Sequence, residues 1–440
     1  MNNLEGHSLI IEKKGLINIM HGNYLKISKY TPSSSELDWL KDVLIEIGDE
    51  IALYILGTVF SNIKNKCHES IECIDKVLEI NPLNSNAWNI KGVSLDNLGE
   101  YDDALINFSE ALKIEPKNFR FNNNKGFSLY LAGKYEDSIE WFDKSIESNS
   151  EYEISWINKG NSLEKLEKYG EAIKCFEKVI QLRPDDFRLY YEKGYLLLLS
   201  KKYEDSIEWF DKSIELDSEY GLAWTNKGFA FGKLEKYEEA LECFDKAIDL
   251  NPDDHNLYYR KAYLLLLMGK YEDSIEWFDK TIELDSEYEF SWINKGFAFT
   301  KLGEYEEAIK CFEEAIDLNP IDSRLYREKG YLLLLSEKYE DSIEWFDKAI
   351  ELDSEYDIPW TDKGVALEKL GGYNEVIECY DKAIAINPKN DLALNNKGFL
   401  LLMHENVVDS IKNFEKALEI NPNNTLAFNN LTMAILKLNI

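Results

Sequence analysis

Hydrophobic and polar positions along this chain follow one rule that repeats every 34 residues. With Ser85 as position 1, position 4 reads Trp88, Asn122, Trp156, Tyr190, Trp224, Tyr258, Trp292, Tyr326, Trp360 and Leu394. Position 8 is Gly in every block from Gly92 to Gly398, with Ala262 the one exception. Position 17 is Tyr from Tyr101 to Tyr373 and fails only at Val407. Position 20 is Ala or Ser apart from Val376, and position 24 is Phe apart from Tyr380. Positions 4, 8 and 11 share one helical face, and positions 20, 24, 27 and 28 share another. A short polar turn such as LGEYE separates them. Each block therefore predicts a helical hairpin. Gly at position 8 and Ala or Ser at position 20 let the two helices approach, and aromatic side chains at positions 4 and 24 fill the space around that contact. Pro116, Pro184, Pro252, Pro320, Pro388 and Pro422 stop the second helix, because proline cannot continue one. Helices of about 14 residues are marginal alone, so the apolar faces must be completed by stacking hairpin on hairpin.

The ends of the chain fit this rule less well. Residues 51–84 read as a weaker unit, with Tyr54, Ser70, Ile74 and Pro82 in place but Thr58 where Gly is expected. Residues 35–50 predict a helix with Ser35 as N-cap and Leu37, Leu40, Leu44 and Ile47 on one face. It would cover the first hairpin. Residues 1–34 lie outside the repeat, and residues 8–30 predict a short β-hairpin. Residues 425–440 match only a first helix, through Phe428 and Ile435.

The units also alternate. KYEDSIEWFDK starts at Lys134, Lys202, Lys270 and Lys338, 68 residues apart each time. These units carry Trp141, Trp209, Trp277 and Trp345 at position 23, where their partners carry Cys175, Cys243, Cys311 and Cys379. A pair of hairpins was duplicated. Cysteines one pair of hairpins apart are too distant to share a bond or a metal, so they read as structural thiols. Cys67 and Cys73 have no second pair, and the five histidines are scattered.

Charge narrows the partners. Lys and Arg number 50 against 82 Asp and Glu, a net charge of −32. Such a surface repels phosphate backbones and anionic lipid, which argues against nucleic acid and membrane and favours a neutral or basic protein or peptide. MNNLEGHSLI lacks the basic start of a signal peptide, and the expected compartment is the cytoplasm. Phosphate-loop, dinucleotide, zinc-protease and nucleophile-elbow motifs are missing. Acidic pairs such as Glu136 and Asp137 recur with the period, as a solvated helix face does. The chain is not expected to be an enzyme or to need a cofactor or metal.

The recurring aromatic, Gly, Tyr, Ala, Phe and Pro positions resemble the tetratricopeptide repeat, over residues 51–440. The resemblance implies an all-α fold, an α-solenoid superhelix of about eleven hairpins. They would start at residues 51, 85, 119, 153, 187, 221, 255, 289, 323, 357 and 391, with residues 425–440 as a capping helix. It also implies that positions 2, 5, 6, 9, 12 and 13 of the first helices line a concave surface that binds extended peptides. Here those positions hold Tyr191 and Tyr259 (position 5), Asn226 and Asn294 (position 6), and Tyr195, Phe229, Tyr263, Phe297 and Tyr331 (position 9). Two readings stand: packing between neighbouring first helices, or a groove with aromatic anchors. Asn124, Asn158, Asn226, Asn294 and Asn396 resemble the ladder by which some members clamp a peptide backbone, although Glu192, Arg260, Glu328 and Asp362 interrupt it. Position 7 is Lys in all ten units from Lys91 to Lys397, a row that reads as salt bridges along helix stems. The implied function is a scaffold that binds a partner segment in its groove. The alternatives are an accessory array that presents substrates to a separate transferase, and a structural protein that assembles with itself.

Overall fold

A computed structural model describes residues 34–63 and 65–438, and these form helices with no strand among them. The β-hairpin expected over residues 8–30 lies outside the described residues. The chain divides into two compact units, one ending at Ala230 and the other beginning at Phe231. The first holds the helix Ser34–Ile47 and the hairpin Glu50–Ser61/Cys67–Ile80, then hairpins at the 34-residue period from Ser85–Leu98/Tyr101–Ile114 to Phe187–Leu199/Tyr203–Leu216. The second runs through His255–Leu267/Tyr271–Leu284 and its successors to Asp391–Met403/Val407–Ile420, and ends in the single helix Thr425–Leu438. This is an all-α solenoid of helical hairpins.

The close approach within each hairpin follows from the glycine at position 8. A Cβ at Gly296 would sit 2.9 Å from the ring of Phe312, and one at Gly364 would sit 2.5 Å from Tyr380. The rings at position 24 are themselves fully buried from Phe108 to Phe414. Position 20 lies beneath them; Ser138 Oγ there lies 2.8 Å from Ser162 Oγ of the next hairpin, while Ser206, Ser274, Ser342 and Ser410 donate to the backbone carbonyl three residues back. In the first hairpin the close residue is Gly57, where an added Cβ would sit 2.8 Å from Ile74, so Thr58 is not the counterpart of that glycine. The helix Glu50–Ser61 starts one residue ahead of the period, and a longer turn before Cys67 absorbs the difference.

Two local devices set the helix ends. Asn84, Asn118, Asp186, Asp254, Asp322 and Asn390 cap the first helices that follow them, each side chain accepting a backbone N–H of the first turn. At the other end, position 15 is left-handed in each of the ten units from Ser85 on. Gly99, Gly133, Gly269, Gly303 and Gly371 supply it at no steric cost, while Glu167, Lys201, Glu235, Glu337 and Glu405 adopt φ between 57° and 66°. The N-terminal helix ends at Ile47 for the same reason: Gly48 has φ 68°, and Asp49 caps the next helix.

Candidate peptide-binding surface

The seam between successive first helices is tied by one recurring bond. Position 5 of one hairpin meets position 6 of the next, 35 residues on. Asn124 Nδ2 donates to Asn89 Oδ1 at 2.9 Å, and Asn158 Nδ2 to Asn123 Oδ1 at 3.1 Å. Asn226 Nδ2 donates to Tyr191 Oη at 3.1 Å, and Asn294 Nδ2 to Tyr259 Oη at 3.2 Å. Arg327 Nε donates to Asp362 Oδ2 at 2.7 Å, and Asn430 Nδ2 to Asn395 Oδ1 at 3.0 Å. Asn124, Asn158, Asn226 and Asn294 are therefore engaged in holding hairpin to hairpin, while Asn396 accepts from Asn395 of its own helix at 3.2 Å. The partner residue across the seam changes chemistry from Asn to Tyr to Arg, which hides the pairing in the sequence.

The aromatic residues separate into two groups. Tyr191 and Tyr259 belong to the seam. Tyr191 meets Tyr220 edge-on at 5.2 Å and stacks on Tyr195 at 6.1 Å. Tyr259 repeats this with Tyr288 at 5.1 Å and Tyr263 at 6.1 Å. Burial holds the Tyr191 phenol well above its usual range and pushes Tyr259 up to about 12. The position-9 residues lie further out. Tyr263 is 40% exposed and Phe297 is 36% exposed, the latter with its ring edge-on to Phe312 at 5.4 Å. Tyr195 and Phe229 are half-buried beside Phe210, and the Arg327 guanidinium lies 4.6 Å from the centre of the Tyr331 ring.

The structure adds residues that the sequence reading did not single out. Position 2 presents Leu222 and Phe290, each more than half exposed, and position 13 adds Leu267, Leu335 and Met403. Tyr220 and Tyr288, which end alternate units, fill the seam beneath them. The signal was present, since alternate units end in Tyr where the others end in Asn or Asp. Among these side chains lies one unusual acid. Burial, and then the neighbouring Glu164, push Glu192 up to about 7.

The lysine row at position 7 is consumed by pairing. Nine of the ten lysines reach back 16 residues to an acid on the second helix of the preceding hairpin, among them Lys159 to Asp143 at 2.5 Å, Lys193 to Glu177 at 2.5 Å and Lys329 to Glu313 at 2.6 Å. In tryptophan-bearing units the same ammonium packs on the indole, with Lys193 and Lys212 3.5 and 4.1 Å from the centre of the Trp209 ring. All six cysteines are buried thiols. Burial pushes Cys73 up to about 12 and Cys175, Cys311 and Cys379 up to about 11. No helix among the described residues is long and apolar enough to cross a membrane.

Four family models, each described as tetratricopeptide repeat, match the chain. They cover residues 154–186, 221–254 and 290–322; residues 73–106, 243–276 and 379–412; residues 94–153; and residues 187–220, 323–356 and 359–390. No curated protein matches. Among solved structures the chain is similar to YrrB, described as a TPR protein with an unusual peptide-binding site, at 25% identity over 43% of this chain and 97% of that one, with a TM-score of 0.35. It is similar to the yeast Tom70 at 15% identity over 88% and 95% of the two chains, with a TM-score of 0.40. The C-terminal part of a TPR repeat-containing protein from Cytophaga hutchinsonii matches at 17% identity over 55% and 99%, with a TM-score of 0.48. With its hairpins in register and its repeats matched along most of its length, the chain belongs to the tetratricopeptide repeat family.

Proposed function

We propose that this chain is a non-catalytic interaction scaffold that holds an extended segment of another protein along the exposed faces of its first helices. The observation that carries the reading is the row of apolar side chains left open at positions 2, 9 and 13 of the second unit, Tyr263, Leu267, Phe290, Phe297 and Leu335. Aromatic anchors on such a surface each contribute about 2 kcal/mol or more to a complex. Tyr195, Phe229 and Tyr331, half-buried, supply side walls. Tyr191, Tyr259, Asn226 and Asn294 hold those walls in place from the seam, and of these only the asparagines, through their carboxamide oxygens, are left to meet the ligand. The acidic surface selects a neutral or basic segment, with no cofactor and no metal involved.

Peptide arrays probed with the purified chain test this. A bound peptide should lose affinity about tenfold or more with Tyr263→Ala or Phe297→Ala while helicity and melting stay as in the parent. Retained affinity in both variants would move the site off the first helices. A partner recovered as an enzyme together with its substrates would favour the substrate-presenting reading, and concentration-dependent mass without any partner would favour self-assembly.

A further inference from the structure

One position in the lysine row is broken, and the break coincides with a cavity. The acids that pair with position 7 are Asp75, Asp143, Glu177, Asp211, Asp245, Asp279, Glu313, Asp347 and Asp381; opposite Lys125 the chain has Ser109. Lys125 keeps the geometry of its counterparts. Its Nζ lies 3.9 Å from the centre of the Trp141 ring, where Lys193, Lys261 and Lys329 lie 3.5, 3.6 and 3.5 Å from theirs. Its partner is a neutral hydroxyl, Ser109 Oγ at 2.9 Å. An ammonium has three donors, and this one lacks the charge that the other nine meet.

The space that a longer acidic side chain would occupy is open. A cavity of about 430 Å³ borders Ser109, Lys125 and Trp141, with Leu105, Ile106 and Leu129 among its apolar walls. Three carboxylates also line it. Glu140 is bonded to Lys144 at 2.7 Å and Glu110 to Lys113 at 2.5 Å, and Asp137 is the third acid of the lining. The filled counterpart at Glu177 has the same surroundings: Lys193 and Lys212 beside Trp209, with Glu208 bonded to Lys212 at 2.7 Å. A negative group at this point is therefore what the repeat is built to hold.

We infer that this cavity takes a carboxylate on a short apolar stem, which pairs with Lys125 and lies against Trp141. The stem replaces the methylenes of the missing acidic side chain. Burial and the neighbouring Lys144 hold the empty Lys125 ammonium below its ordinary range, and an incoming carboxylate relieves that. The site lies on the seam between second and first helices, away from the exposed positions 2, 9 and 13, so it stands independently of the peptide surface.

The test uses the full chain labelled with 5-fluorotryptophan, with the Trp141 resonance identified by Trp141→Phe. Glutarate is titrated against sodium chloride of matched ionic strength. A saturable shift of the Trp141 signal is expected. Lys125→Met should weaken it about tenfold or more, the range for a charge-assisted bond. Ser109→Asp keeps the lysine and supplies the missing acid from within, so it should abolish the shift without loosening the fold. A peptide with a free C-terminus, compared with its amide carrying an internal Glu, distinguishes a chain terminus from an acidic side chain as the source. A shift that is linear in glutarate, or one that persists in Ser109→Asp, overturns the inference.

Discussion

At the scale of single residues, the seam makes two demands that can be separated experimentally. Glu192 sits beside Tyr191 and Tyr220 and faces Glu164, and its carboxyl is pushed up to about 7 from an ordinary value of 4.5. An acid whose pKa is raised by folding binds its proton more tightly when folded. The unfolded chain then gains by ionising as the pH passes 4.5, and the folded chain does not follow until about 7. Stability is therefore lost between those two values and levels off above them. Glu192→Gln should raise stability by on the order of 1–2 kcal/mol at pH 8 and change little at pH 4. Chemical denaturation at the two pH values measures this, and an equal gain at both would show that the charge is not the cause. Tyr191→Ala and Tyr263→Ala form a second contrast. The first removes a half-buried ring and the phenol oxygen that accepts from Asn226, and should cost about 2 kcal/mol or more. The second removes a ring that is 40% exposed, and should cost less than about 1 kcal/mol. Equal losses in denaturant midpoints would contradict this division between seam and open surface.

At the scale of the helical hairpin, closeness and chirality govern. Position 8 accepts a single methyl in one unit, where Ala262 and the position-24 ring of Phe278 are both fully buried. Gly296→Ala should accordingly cost less than Gly296→Leu, whose branched side chain would meet the Phe312 ring and cost about 1–3 kcal/mol. Position 15 offers the opposite opportunity. Glu167 and Glu337 hold φ 57° and 59°, a conformation in which a side chain is strained. Replacing either with Gly, as at Gly303, should raise stability by about 0.5–1 kcal/mol as read by thermal melts. The period and its aromatic and small residues made the hairpins legible in the sequence, because each side chain there performs the same task in every unit. The left-handed turn was less legible: half the units fill it with Glu or Lys, whose identity says nothing about φ. The seam was less legible still. Asn226 and Asn294 read as a ligand ladder because their partners, Tyr191 and Tyr259, stand 35 residues back and are replaced by Asn or Arg elsewhere in the row. Tyr263 and Phe297 could be named from the sequence, but their exposure relative to Tyr191 depends on how neighbouring helices lean, which no single position encodes.

At the scale of the whole molecule, charge is the one property that every repeat adds to without cancelling. The chain carries −32, and folding brings those charges closer than they are in an extended chain, so self-repulsion opposes the folded state. Against this stand the position-7 lysines. They are largely covered themselves, as with Lys193 and Lys329, but their acidic partners are close to half exposed. Pairs of that kind contribute little each, on the order of 0–1 kcal/mol, and salt screens them as well. The two effects respond to salt with opposite signs, which makes their balance measurable. Repulsion acts between charges spread over many hairpins, at distances comparable with the Debye length of about 10 Å at 0.1 M salt. The lysine pairs act across less than 4 Å, where screening is weak. Moving from low salt to about 0.5 M sodium chloride should therefore remove more repulsion than attraction and raise the melting temperature by a few degrees. Circular dichroism melts at several salt concentrations read this directly. A melting temperature that falls with salt would show that the lysine row, rather than the net charge, dominates the electrostatics of the array.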